Sequence, residues 1–362
     1  METLAASLGI ISRPDVVAAL LIGSAGGIII GAIPGVGPAI AIAILLPATF
    51  ALEPIVGITM LLGIYGSAMF GGAIPAILIN TPGTPVNALT TYDGYPLTQR
   101  GEAHRALSLA YGASFVGGVF SVLCLMTLAP FLARIAPFFG SREIFLACVL
   151  GMILVVIAHR AKSMAAGALL SFGIFLQTIG FEPVAYTHRY TFGQSWLLSG
   201  IDLIVAVLGL FALSQAFLLL AGKDRLPKLP IVTGPILTGG LFRGLKEVFK
   251  FPKIVLPGAA FGTVMGIIPG VGEFTAQFLS YTLAQKISPN PERFGRGAPQ
   301  GIIASEAANN AVPAAAMIPL LALGIPGEAL TAMMLAVFYV HTLLSHKLLN
   351  ELRIKDYSAL IC

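Results

Sequence analysis

Charge is scarce in this chain. Aspartate, glutamate, lysine and arginine make up 10% of its 362 residues, where a soluble domain carries about 25%. A soluble protein of this length could not cover its surface with so few polar groups. The net charge is only +5, and the basic residues gather in short loops, so a nucleic-acid surface is not indicated. Cysteine is confined to Cys124, Cys148 and Cys362, at spacings that match no metal or redox motif. Residue 2 is glutamate and no basic stretch follows Met1, which argues against a cleaved signal peptide. No P-loop, zinc-ligand pattern or G-x-S-x-G elbow occurs, so there is no ATPase or hydrolase signature.

Apolar residues are what the chain has instead. They make up 57% of it, with a mean hydropathy of +0.91. Long apolar runs must face lipid, where every backbone polar group needs an internal partner and only helices or closed barrels span. The runs exceed the ~10 residues of a barrel strand and lack period-2 alternation. The expected fold is therefore an all-α polytopic membrane protein. Apolar segments fall at 15–33, 36–52, 55–80, 106–133, 143–158, 163–180, 197–221, 254–270, 272–285, 298–323 and 329–345. The stretch 222–253 holds Lys223, Arg225, Lys228, Arg243, Lys246, Lys250 and Lys253, and by the positive-inside rule it is cytoplasmic. Counting spans from it puts 81–105 and 286–297 on the same side. Trp196 reads as an interface anchor at the edge of a span.

An internal duplication organises the chain. Gly23, Gly27, Gly31 and Gly35 recur every fourth position and end in Ile33-Pro34-Gly35-Val36-Gly37. Gly258, Gly262, Gly266 and Gly270 repeat this 235 positions later, ending in Ile268-Pro269-Gly270-Val271-Gly272. From Leu21 to Ala41, 11 of 21 positions match. A second pair follows in the same order: Ile74-Pro75 with Pro82-Gly83, and Ile318-Pro319 with Pro326-Gly327. Glycine ladders present a bare stripe for close helix approach. Pro-Gly motifs should break or re-enter the helix, and paired broken segments in two halves point to a transporter binding site. The expected organisation is a first repeat over 1–222, a basic linker over 223–253, an incomplete second repeat over 254–345 and a polar tail over 346–362. The charge pattern makes the repeats inverted, and the second lacks counterparts to 106–221, as in a chain truncated relative to two full copies.

Polar clusters adjoin the breaks. Asn80-Thr81-Pro82-Gly83 leads into Thr84 through Asp93-Gly94-Tyr95-Pro96, and Ser305-Glu306-Ala307-Ala308-Asn309-Asn310 opens an otherwise apolar segment. The candidate substrate and cation site comprises Gly35, Gly37, Asn80, Thr81, Gly83, Gly270, Gly272, Asn309, Asn310 and Gly327. Amide and hydroxyl oxygens suit Na⁺, while half-helix ends suit carboxylates. Glu306 is either a proton-coupling acid or a partner of the basic loop before it. The stretch 84–96 reads equally as a solvated turn, and the asparagines equally as interhelical ties. No cofactor is expected beyond Na⁺ or H⁺ as coupling ion.

These motifs resemble the large membrane subunit of the tripartite tricarboxylate transporters. The resemblance rests on Gly31-Ala32-Ile33-Pro34-Gly35-Val36-Gly37-Pro38, Phe70-Gly71-Gly72, Asn80-Thr81-Pro82-Gly83, Asp93-Gly94-Tyr95-Pro96, Glu306-Ala307-Ala308-Asn309-Asn310-Ala311 and Gly324-Ile325-Pro326-Gly327. It covers roughly residues 15–341. It implies cation-driven uptake of citrate-like carboxylates across the bacterial inner membrane. It also implies a small membrane subunit and a periplasmic solute-binding protein as partners, with no nucleic acid. The rival readings are a non-transporting structural remnant and an intramembrane enzyme. The charge count places Arg13 and Lys250 on opposite sides of the membrane. Single cysteines introduced at the two positions should label with an impermeant thiol reagent from opposite faces, and labelling from one face would refute inversion.

Overall fold

In the computed structural model, residues 8–34, 36–135, 163–182, 187–201 and 240–340 are described, with isolated positions at 142, 145, 146, 149, 152, 153, 156 and 217. Most of segments 143–158 and 197–221, Gly35, the first part of the basic stretch and the tail from 346 lie outside these residues. The described helices are α1 (Pro14–Gly31), α2 (Gly37–Thr49), α3 (Pro54–Gly71), α4 (Ala73–Ile79), α5 (Ala88–Gln99) and α6 (Ala103–Ile135). They continue with α7 (Ser163–Gln177), α8 (Gly240–Val248), α9 (Pro252–Ile267), α10 (Gly272–Ile287), α11 (Pro299–Leu323) and α12 (Ala329–Val340). One short antiparallel hairpin, β1 (Gly180–Glu182) with β2 (Thr187–Arg189), pairs Phe181 with His188.

Proline starts the long helices α1, α3, α9 and α11 at their first positions, where its missing N–H costs nothing. Among the described residues, three segments, Pro14–Gly31, Pro54–Ile79 and Ala103–Arg134, are long and apolar enough to cross a membrane. The 13-residue α2 spans only about 20 Å, short of the ~30 Å hydrocarbon core. A helix of that length fits a hairpin that turns within the membrane. The turn before it is the Pro-Gly motif, and Gly37, Gly270 and Gly272 all take positive φ there (58°, 81° and 71°).

The glycine ladders make the same contact in both copies. A Cβ at Gly23, Gly27 or Gly31 would collide with the carbonyl of Met60, Ile64 or Ala68 on α3. A Cβ at Gly258, Gly262 or Gly266 would crowd the carbonyl of Ala304, Ala308 or Val312 on α11. The three receiving residues of α11 lie 244 positions after those of α3, the offset that also separates Pro82-Gly83 from Pro326-Gly327. The tips agree as well: Gly83 abuts the Gly31 carbonyl, and Gly327 abuts the Gly266 carbonyl. Thus α1 with α3, and α9 with α11, are equivalent parallel pairs joined backbone to backbone.

The two pairs run in opposite directions. Met69, near the end of α3, accepts a hydrogen bond from Asn87, which also donates to Glu306 in the second turn of α11. One turn earlier on α3, Tyr65 reaches Glu328, beyond the far end of α11. Moving back along α3 therefore moves forward along α11, which is inversion. At one end of the stack Arg105 pairs with Glu247 of α8 at 2.6 Å, and Arg100 donates to the Arg296 carbonyl at 2.5 Å. Arg100 and Arg105, α8 and the turn at Arg296 therefore meet at a common end. At the opposite end Arg13 donates to Glu53 at 3.0 Å, and that hydrogen bond holds the Glu53 carboxyl below its usual range.

α11 is the central helix, buried along most of its length against α5, α6, α9 and α10. Two expectations change here. The stretch 81–105, read as a loop, contains α5: its polar residues are buried against α4, α6 and α11 rather than solvated. The stretch read as a basic linker contains α8, packed so closely on α6 that Gly244 meets the Ser108 backbone. Gly26 is the internal control for the ladder, because a Cβ there meets nothing within 4 Å. Gly27→Leu and Gly262→Leu should each lower thermal stability by about 1–3 kcal/mol or more through overpacking. Gly26→Leu should leave it near wild type. Equal melting temperatures for all three variants would reject the packing role.

Candidate functional site

The buried polar groups converge on α11. Glu306 is fully buried, and its Oε1 accepts from Asn87 Nδ2 at 3.3 Å and from the Thr90 hydroxyl. Its Oε2 accepts from Ser114 Oγ at 3.2 Å and Asn310 Nδ2 at 3.3 Å. Asn310 is tied further to Ser114 Oγ at 2.7 Å. These four donors come from the turn before α5, from α5, from α6 and from α11 itself. Every donor is neutral, and no described lysine or arginine bonds to Glu306. The alternative that Glu306 partners the basic loop before it is thereby removed. A buried acid in a chain that spans lipid is costly and marks a candidate functional residue.

A second acidic pair sits at the second-copy breaks. Glu273 follows the Pro-Gly-Val-Gly turn in the first turn of α10, and Glu328 follows Pro326-Gly327. The two carboxyl groups are hydrogen-bonded to each other, and the Tyr65 hydroxyl donates to Glu328. The breaks themselves are joined, with Gly270 N–H donating to the Gly327 carbonyl at 2.8 Å. Glu273 and Glu328 were not singled out from sequence. The available signal was position: both acids stand immediately after a duplicated break.

The expected site residues divide into groups. Asn309 and Asn310 join the Glu306 region. Asn309 is fully buried and lies toward the Glu306 carboxylate, yet neither of its amide atoms reaches hydrogen-bonding geometry. Gly270, Gly272 and Gly327 lie at the second-copy tip. Asn80 is exposed in a left-handed conformation (φ 57°) that caps α4, and Thr81 bonds only to the Ile79 and Pro75 carbonyls. Gly83 and Gly37 belong to this first-copy tip, and Gly35 lies outside the described residues. No hydrogen bond links Asn80 or Thr81 to Asn309 or Asn310. The first-copy loop reaches α11 through Asn87 instead, held at 2.5 Å by the Thr84 hydroxyl.

A cavity of about 680 Å³ opens between α3, α6 and α11. Its walls are mainly apolar, with Tyr65, Tyr111, Ser114 and Asn310 as polar points and no basic side chain. It leads to the donors of Glu306 but lacks the charge to hold a free tricarboxylate.

Asp93 has a separate task. It is fully buried and accepts the N–H groups of Gly297 (2.8 Å) and Ala298 (2.7 Å) and the Tyr281 hydroxyl (2.8 Å). The side chain thus caps α11 from α5 and fixes the height of Glu306. The alternative reading of 84–96 as a solvated turn fails because α11 needs this acceptor at its start. Asp93→Ala should lower stability by about 1.5–3 kcal/mol, the worth of hydrogen bonds to a charged group, as measured by thermal unfolding of the purified protein. An unchanged midpoint would show that the cap carries no load.

Comparisons with known proteins agree with this arrangement. The family described as "Tripartite tricarboxylate transporter TctA family" matches residues 17–356. A protein of Agrobacterium vitis, named "Uncharacterized 52.8 kDa protein in TAR-I ttuC' 3'region", is 36% identical over 313 residues, 86% of this chain and 61% of that protein. A second protein of that organism, "Uncharacterized protein in TAR-II ttuC' 3'region", is 42% identical over 77 residues, 21% of this chain and 32% of that protein. The chain thus spans about three fifths of the longer match. No solved structure matches it. With a family match over nearly its whole length, on motifs that form paired breaks around a buried acid, the chain belongs to the tripartite tricarboxylate transporter TctA family.

Proposed function

We propose that this chain is the permease subunit of a binding-protein-dependent secondary transporter in the bacterial inner membrane. It imports a citrate-like tricarboxylate or another organic carboxylate on a Na⁺ or H⁺ gradient. It works with a small membrane subunit and a periplasmic solute-binding protein. The observation that carries the reading is Glu306: a fully buried acid, ringed by neutral donors from three helices and the turn before α5, between two inverted copies.

The two tips support a division of labour. The first-copy tip, with Gly35, Gly37, Asn80, Thr81 and Gly83, carries no acid. The start of α2 there offers backbone N–H groups of the kind that bind anions at helix N-termini. The second-copy tip carries Glu273 and Glu328, which favour a cation. In this reading the carboxylate substrate engages the neutral tip, and the cation enters with it beside Asn309, Asn310, Gly270, Gly272 and Gly327. Glu306 senses the cation, which offsets substrate charge in a region of low dielectric where an uncompensated anion is costly.

The test is uptake of radiolabelled citrate, tartrate and succinate into proteoliposomes. These hold the chain with its small subunit, and the binding protein is added outside. Uptake of at least one carboxylate should require an imposed Na⁺ or H⁺ gradient. Glu306→Gln keeps the shape of the side chain and the two hydrogen bonds accepted at Oε1, and the Ser114 hydroxyl can turn to accept from the new amide, so the protein should remain folded. It should lose gradient-driven uptake by about tenfold or more, the equivalent of 1.4 kcal/mol. Wild-type rates in Glu306→Gln, or uptake indifferent to both gradients, would overturn the reading.

A further inference from the structure

Buried polar side chains without partners are rare in folded proteins. Here they concentrate in one place. Among the described residues, the buried side-chain atoms lacking a partner are Ser121 Oγ, Glu273 Oε1, both amide atoms of Gln277, Ser305 Oγ and both amide atoms of Asn309. All but Ser121 lie on α10 or α11. Gln277, Ser305 and Asn309 are 0% exposed and Glu273 is 8% exposed.

The register brings them together. Ser280 donates to the Ala304 carbonyl, Ala276 packs with Ala308, and Tyr281 abuts Gly301. α10 and α11 are therefore antiparallel neighbours, and Gln277 faces Ser305 while Glu273 faces the turn that holds Asn309. On α10, Glu273 and Gln277 are four residues apart, and Ser305 and Asn309 are four apart on α11. Such pairs lie on one helix face.

The other copy shows that packing does not require this polarity. The duplication offsets map Glu273, Gln277, Ser305 and Asn309 onto Pro38, Ile42, Leu61 and Tyr65. Ile42, Leu61 and Tyr65 are fully buried core residues of the first copy. One arrangement of helices is thus filled once with Pro38, Ile42, Leu61 and a Tyr65 whose hydroxyl is satisfied by Glu328, and once with polar side chains that lack partners. Leaving such groups unpaired is costly, so the polar version calls for a compensating partner.

We propose that Glu273 Oε1, Gln277 Oε1, Ser305 Oγ and Asn309 Oδ1 form a binding site for one Na⁺ ion between α10 and α11. The chemistry selects the class. The donors are hard oxygens, which suit alkali and alkaline-earth cations rather than transition metals. Glu273 supplies the one carboxylate of the set, beside three neutral oxygens. One charge with neutral oxygens matches a monovalent cation, and a proton would leave the amide and hydroxyl oxygens unused. The proposal deepens the transport reading, since it names the coupling ion and its ligands, but its test does not depend on uptake.

The experiment measures thermal unfolding of the purified chain in nanodiscs, with NaCl, KCl or choline chloride at equal ionic strength. Na⁺ should raise Tm saturably, by about 2–6 °C near saturation, and K⁺ should give a smaller shift or none. Gln277→Ile and Ser305→Ala install side chains that this packing accepts or nearly accepts. Both variants should keep or raise Tm in choline, and each should raise the half-saturating Na⁺ concentration at least about tenfold, a loss of 1.4 kcal/mol. Should Gln277→Ile fail to fold, Ser305→Ala gives the same reading. Equal responses to Na⁺, K⁺ and choline, or a Na⁺ response undiminished in the folded variants, would overturn the site. Citrate uptake driven by a proton gradient with no Na⁺ binding would sink the site and leave the transporter. Na⁺ binding with no carboxylate transported would do the reverse.

Discussion

Everything in this fold rests on backbone meeting backbone along two glycine stripes. Gly23, Gly27 and Gly31 admit the carbonyl ridge of α3, and Gly258, Gly262 and Gly266 admit that of α11. In lipid there is little hydrophobic gain from pressing helices together, so close van der Waals contact must supply the adhesion. A stripe without Cβ atoms is what allows it. Each closely joined pair also sets the position of its own tip, because Gly83 and Gly327 seat against the last glycine of the ladder. Helix breaks, which would be costly if they faced lipid, are thereby held within protein.

Once the pairs are fixed, inversion determines where charge can be stored. Antiparallel placement brings the end of α3 to the level of the second turn of α11, and Asn87 bridges Met69 to Glu306. Asp93, reaching from α5 to cap α11, holds that level. Four neutral donors then surround one buried carboxylate. The arrangement is asymmetric although the helices are not. At the tip and along the α10–α11 seam, the second copy is acidic and polar where the first has proline and core aliphatic residues.

Much of this was legible from composition and spacing. Scarce charge and long apolar runs required membrane helices, and matched glycine and Pro-Gly motifs revealed the duplication. The apolar segments read from residues 15, 55, 254 and 298 begin within two residues of α1, α3, α9 and α11. The polar segment 84–99 was harder. Its threonines, asparagine and aspartate look like a solvated loop, and only burial against α11 turns them into a helix that feeds Glu306. Asn80 and Thr81 drew attention by standing beside a break, but the side chain that reaches the centre is Asn87, six residues beyond Thr81. Local sequence cannot rank such neighbours, because the choice depends on how far α11 lies from the loop.

The sequence by itself determined the environment and the plan: a helical protein in lipid, built twice, broken at Pro-Gly turns. Those properties follow from backbone hydrogen bonding in an apolar medium and from residues that lack a donor or a Cβ, which act locally wherever they stand. The tertiary structure alone decided which polar groups meet. Glu306 gathers donors from positions 87, 90, 114 and 310, and Glu273 meets Glu328 across the second tip. Most of these partners lie on other elements, up to 219 positions away in the chain. Only the packing distance set by the glycine ladders and the antiparallel register of the copies brings them within reach.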